Sequence, residues 1–187
     1  MLKSRSLLVG TIGLITLMYP VAVFFAVQYL PPWQIALVLF SFLLLRLLLT
    51  QGHKKNGNQL IVVLGLGFCL LALWNNDLIT LRFYPVFINL ALFVVFLSSL
   101  YFPPPIIERL ARLQYPNLPP QGVIYTRKVT KVWMTFFICN ASIAAATAIW
   151  SSLAWWSLYN GLIAYVLMGL LMGIEYLVRI RTQDHVR

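Results

Sequence analysis

The sequence predicts an all-α fold: a polytopic membrane helix bundle of six transmembrane helices, with both termini on the cytoplasmic side. Three observations carry this. Apolar stretches recur at Leu7–Leu30, Trp33–Leu49, Leu60–Trp74, Phe83–Phe102, Val132–Trp150 and Leu158–Val178. Most are within or near the 17–25 residues that cross about 30 Å of hydrocarbon. Hydrophobic residues make up 61% of the chain and charged residues 10%, against about 25% charged in soluble domains, and the mean hydropathy is +0.85. Finally, all 14 Lys and Arg residues except Arg82 fall on what would be one membrane side. With 187 residues, the chain reads as a single transmembrane domain.

The first stretch follows Met1-Leu2-Lys3-Ser4-Arg5-Ser6 and outruns a signal-peptide core, with no small-x-small site at its end, so it is expected to be retained. Pro20 lies within it and should kink it. The second span ends near Arg46, which can snorkel to the surface. The third is the shortest, stopping at Asn75-Asn76-Asp77, and its competing reading is a re-entrant segment. A re-entrant turn would place Lys54 and Lys55 beside Arg82 and break the charge asymmetry, so a full crossing is preferred.

Pro103-Pro104-Pro105 ends the fourth span and opens the cytoplasmic loop 103–131. At about 105–114, Ile106, Ile107, Leu110 and Leu113 share one face, while Glu108, Arg109 and Arg112 share the other. This spacing predicts a short interfacial amphipathic helix. Arg127, Lys128 and Lys131 then lead into the fifth span. Arg109, Arg112, Arg127, Lys128 and Lys131 form a basic face with two readings: anchoring on anionic lipid headgroups, or docking of an acidic partner. Tyr29, Trp33, Trp74, Tyr84, Tyr101, Trp133, Trp150, Trp155, Trp156 and Tyr159 cluster near span ends and read as headgroup anchors.

Within the spans, Asn89, Asn140 and Asn160 either hydrogen-bond between helices or line a polar pocket. Glu175 and Arg179, one turn apart, read as an ion pair or as a ligand or proton site. Gly161, Gly169 and Gly173 give the sixth span a small-residue face, and Ala141, Ala144, Ala145 and Ala148 do so for the fifth. These two helices are expected to pack closely together. The echo of Leu14–Val21 in Leu78–Val86 is short and built from few residue types, which favours coincidence over an inverted repeat.

No catalytic motif is present: HExxH, GxSxG, P-loop and GxGxxG arrangements are absent, and His53 and His185 lie in polar segments. Cys69 and Cys139 lack metal-site spacing, and there are four acidic residues in all. No catalytic residue, metal or cofactor is therefore expected. Despite a net charge of +10, the bases hug the membrane, which argues against nucleic-acid binding.

The segments Tyr84-Pro85-Val86-Phe87-Ile88-Asn89-Leu90, Pro103 to Arg112, Tyr125 to Trp133 with Phe136-Phe137 and Asn140, and Trp156 to Tyr165 with Glu175-Tyr176-Leu177-Val178-Arg179 resemble an uncharacterised bacterial inner-membrane protein family. Some of its members are mislabelled as a DNA gyrase subunit. The resemblance covers residues 78–181; the N-terminal half matches only in hydropathy. A fainter likeness to the intracellular septation protein A family lies in the last two spans. The first resemblance implies gene neighbours that are acyltransferases, ketosynthases and acyl carrier proteins of aryl-polyene or fatty-acid-like pathways. It therefore implies a non-enzymatic accessory role in envelope lipid assembly, with an acyl carrier protein or acyltransferase as partner. The alternative is a small transporter or flippase using Glu175, Asn89, Asn140 and Asn160. Association with a second copy stays open.

Overall fold

The computed structural model describes residues 19–26, 29–50 and 57–184. Most of the first span, including the run ahead of Pro20, lies outside the described residues. So do Lys3, Arg5, His53, Lys54, Lys55, His185 and Arg187. The described residues are helical, without strands, in the order α1 Tyr19–Ala26, α2 Pro32–Thr50, α3 Gly57–Asn75, α4 Leu78–Arg82, α5 Tyr84–Tyr101, α6 Ile106–Gln114, α7 Pro120–Trp150, α8 Leu153–Leu158, a π turn Tyr159–Ile163 and α9 Ala164–Asp184.

Four helical stretches are long and apolar enough to cross a membrane: Pro32–Leu49, Tyr84–Tyr101, Pro120–Trp150 and Leu153–Arg181. In α3 the apolar run of the sequence starts at Leu60. The helix reaches 19 residues because Gly57-Asn58-Gln59 precedes that run. At a rise of 1.5 Å per residue it is about 28 Å long. α2 and α3 pack side by side, and a Cβ added at Gly65 would stand 3.1 Å from Leu43 Cδ1.

The connection between α3 and α5 is built from local polar chemistry. Asn76 adopts a left-handed φ of 47°, which its short amide side chain tolerates. Its Oδ1 accepts from Trp33 N at 3.1 Å, tying the start of α2 to the end of α3. Asp77 caps α4 by accepting from Ile79 N at 3.2 Å. The core at this end combines Val23, Leu81, Ala148 and Trp156, all nearly or fully inaccessible.

Four expectations need correction. The first concerns the loop 103–131, which is already the helix of the next span from Pro120 on. α7 has 31 residues and starts at Pro120, so Arg127, Lys128 and Lys131 stand on a rigid helix. Proline at its first position is preorganised for a helix, and buried Thr126, Val129 and Thr130 continue the inward stripe through the charged stretch.

The second concerns the anchors. Trp156 is fully buried and donates its indole Nε1–H to Arg82 O at 3.0 Å. Tyr84 is buried too, whereas Tyr29, Trp74, Tyr101, Trp150 and Trp155 are open, as anchors require. An indole near a helix end suits a headgroup or a core equally, and here a backbone carbonyl satisfies its donor.

The third concerns the small-residue faces. Ala141 and Ala144 of α7 are buried against Val86 of α5, not against the last helix. Nothing lies within 4 Å of a Cβ built at Gly169 or Gly173. α5 and α7 make the most extensive helix contact among the described residues, and smooth alanines let their backbones approach.

The fourth concerns the last span, which begins at Leu153, with Ser152 accepting from Trp155 N at 3.4 Å. The π turn then closes with Ala164 N–H bonding to Tyr159 O. The inserted residue rotates the face of α9 by about 100° relative to α8. Trp156, Ser157, Asn160, Gly161 and Ala164 are buried, and beyond Ala164 no residue of α9 with a described side chain is.

Candidate functional site

Two groups of polar side chains stand at different levels of the bundle. Around the middle, Asn89 of α5 and Asn140 of α7 are buried side by side, and Asn140 Nδ2 donates to Asn89 Oδ1 at 3.0 Å. Asn89 Nδ2 donates in turn to Pro85 O at 2.8 Å. Tyr159, in the π turn, donates its hydroxyl to Asn140 Oδ1 at 2.8 Å. The result is a directional chain from Tyr159 through Asn140 and Asn89 to a backbone carbonyl. Asn160 belongs to a neighbouring branch, with Nδ2 donating to Thr147 Oγ1 at 3.2 Å and Trp156 O at 2.9 Å.

That branch leads to Arg82. Its guanidinium donates to Thr147 O at 2.7 Å and Ser151 O at 2.6 Å. Both carbonyls lie at the C-terminal end of α7: Ser151 O is past the last helical hydrogen bond, whereas Thr147 O also accepts from Ser151 N at 3.3 Å. The cation also sits at the negative end of the helix dipole. Partial burial draws the guanidinium below its ordinary pKa, but a guanidinium keeps its proton in proteins. The one cation breaking the charge asymmetry is therefore a helix cap.

At the opposite end, Glu175 lies across from Tyr125. The Tyr125 hydroxyl reaches both Glu175 Oε1 and Glu175 O at 3.3 Å. Arg179 Nε stands 3.8 Å from the same carboxylate oxygen, a loose pair, and its guanidinium carbon is 5.5 Å from the centre of the Tyr176 ring. Glu175 bonds to Tyr125 and Arg179 and stands apart from the asparagines. Helix α7 thus meets the last span twice, at the π turn through Asn140–Tyr159 and at α9 through Tyr125–Glu175, about 22 Å apart along α7. Between these contacts they part around an open apolar groove of about 380 Å³.

The five loop cations divide into two classes. Arg109 donates to Pro104 O at 2.6 Å and Phe102 O at 3.1 Å, bracing the exit from α5. Arg112 is held by Glu108 at 2.7 Å and donates to Pro116 O at 3.2 Å. Glu108 is buried, while Leu110 and Leu113 are open, so α6 turns an apolar face outward. Arg127, Lys128 and Lys131 are exposed, and none has a polar partner among the described residues. Arg127 and Lys131 are one turn apart, with Lys128 beside them.

Four contributors to these groups are not evident from sequence. Arg82 reads there only as a charge and Tyr159 only as an anchor, while Thr147 and Tyr125 carry no periodic signal. Among the described residues, no three His, Cys, Asp or Glu side chains gather to hold a metal. No family model matches the chain, and no curated protein or solved structure is significantly similar to it.

Proposed function

We propose that this chain is a non-enzymatic accessory protein of the bacterial inner membrane, crossing it six times with its basic end in the cytoplasm. There it docks an acidic partner, an acyl carrier protein or an acyltransferase, in envelope lipid or aryl-polyene-type assembly. The observation that carries this reading is the trio Arg127, Lys128 and Lys131, exposed and unpartnered among the described residues on the first turns of α7. Counting about 30 Å of hydrocarbon back from Trp150, about 20 residues at 1.5 Å each, reaches Thr130. Arg127 and Lys128 then stand in the headgroup layer or beyond it, and Lys131 reaches it by snorkelling. Arg109 and Arg112 brace the loop instead of offering free charge, and the open face of α6 lies on the bilayer.

A photocrosslinker at position 128 in living cells tests this. Adducts containing an acyl carrier protein or acyltransferase are expected, and adducts to lipid alone contradict docking. The transporter reading keeps its own test at Glu175. The buried asparagines and Glu175 are separated by the apolar groove, which gives that reading less support.

A further inference from the structure

We infer that the α2–α3 pair thins the bilayer from its cytoplasmic side by about 6–8 Å, drawing inner-leaflet headgroups up toward the level of Arg46. This rests on the membrane-embedded reading above and needs no docked protein. The outer ends of the helices are tied together. Trp33 N donates to Asn76 Oδ1 at 3.1 Å, joining the start of α2 to the end of α3. Asn75 Nδ2 donates to Thr80 Oγ1 of α4 at 3.3 Å, and Arg82, at the end of the same α4, holds the end of α7 through Thr147 O and Ser151 O. Trp33, Trp74 and Trp150 are open at this end and mark the headgroup layer. Differences in apolar length are therefore felt at the cytoplasmic end.

Those differences are large. α7 runs 19 residues from Trp150 back to Lys131, its first cation, about 28 Å. α2 runs only 13 residues from Trp33 to Arg46, about 20 Å, and Leu47-Leu48-Leu49 extend it to about 24 Å. α3 runs 15 residues from Trp74 back to Gln59, about 22 Å. Two helices packed side by side thus turn polar at nearly one depth, against about 30 Å of hydrocarbon. The sequence from Gln51 to Asn56 holds no apolar side chain that would lengthen either. A lone arginine bridges such a gap by snorkelling, but the amides of Asn58 and Gln59 are too short to do so. Leu45, Leu48, Val63 and Leu70 are open, so this pair meets lipid directly. Thinning costs little per Å, whereas a cation or an unpaired amide in hydrocarbon costs more.

Paired spin labels test this in vesicles of dioleoyl phosphatidylcholine and dioleoyl phosphatidylglycerol, on a full chain without Cys69 and Cys139. Leu45→Cys lies 12 residues from Trp33 and Ile138→Cys 12 residues from Trp150, both at exposed positions and about 18 Å from the outer edge. Collisions with oxygen and with a water-soluble nickel chelate give the depth of each label. In a flat bilayer both lie about 12 Å from the inner edge. Thinning brings the label at 45 to within about 5 Å and leaves the label at 138 deep. Arg46→Leu combined with Asn58→Leu and Gln59→Leu should return the label at 45 to about 12 Å. Equal depths at 45 and 138 overturn the thinning alone, as does a folded, monodisperse triple variant whose label stays shallow. A pair displaced bodily toward the cytoplasm would carry a label at Leu37→Cys, about 6 Å from the outer edge, deeper by about 6–8 Å, and that result overturns the thinning too. Full nickel access at both 45 and 138 overturns the membrane-embedded reading itself.

Discussion

Asn140 and Asn89 face each other across α5 and α7 with an amide hydrogen bond of 3.0 Å, both more than nine-tenths buried. In a bundle whose apolar surfaces are matched by lipid on every side, such a bond fixes which helices pair and at what register. The gain per bond is small, about 0.6 kcal/mol on average in membrane helices. The penalty for a wrong register is larger, because each orphaned amide group costs about 1–3 kcal/mol.

Asn140→Leu should therefore destabilise by about 1–3 kcal/mol, since it strands both Asn89 Oδ1 and the Tyr159 hydroxyl. Reversible unfolding in mixed micelles measures it. In a double-mutant cycle, Asn89→Leu with Asn140→Leu should cost less than the sum of the two single changes.

Arg82→Gln should lower stability by about 1.5–3 kcal/mol, because a planar cation bonded to two helix-end carbonyls is lost. Arg82→Lys should recover only part of it: both bonds leave the one terminal nitrogen Nη2, and the shorter lysine stem sets its ammonium back from the two carbonyls. Thermal unfolding of the three proteins in one detergent gives the comparison.

Much of this is legible in the sequence, for definite reasons. Hydropathy exposes long apolar helices, and 3.6-residue spacing exposes α6, because both signals are local. The start of α7 is hidden because Arg127, Lys128 and Lys131 interrupt the apolar run although Thr126, Val129 and Thr130 sustain the stripe beneath it. Helix pairing is hidden because glycine and alanine faces look alike in sequence. Only the fold shows that Ala144 is enclosed and Gly169 is not. The place of Tyr159 beside the asparagines is hidden because a tyrosine near a span end reads as an anchor until its neighbours are known.

The pairing itself is open to test. Ala144→Leu should cost about 1–3 kcal/mol by forcing α5 and α7 apart. Gly169→Ala should be neutral or stabilising by up to about 1 kcal/mol, from helix propensity with nothing to clash against. Unfolding midpoints of the two variants in one detergent give the order. The reverse order of effects would place the tight interface on α9.

Glu175→Gln keeps an acceptor for Tyr125 and gives up only a loose i,i+4 pair with Arg179, at 3.8 Å. Such pairs contribute about 0.3–0.5 kcal/mol. Stability and membrane level should match the wild type, and an envelope lipid and pigment profile should be unchanged. A normal protein level with an altered profile would favour the transporter reading.

The cytoplasmic placement of the free cations is tested most directly by a membrane-impermeant maleimide in intact cells, on a background without Cys69 and Cys139. We expect Ser152→Cys, exposed at the Arg82 end, to label from outside, and Lys128→Cys to label only after the membrane is opened. Labelling of Lys128→Cys in intact cells would put the basic trio in the periplasm and contradict docking of a cytoplasmic partner.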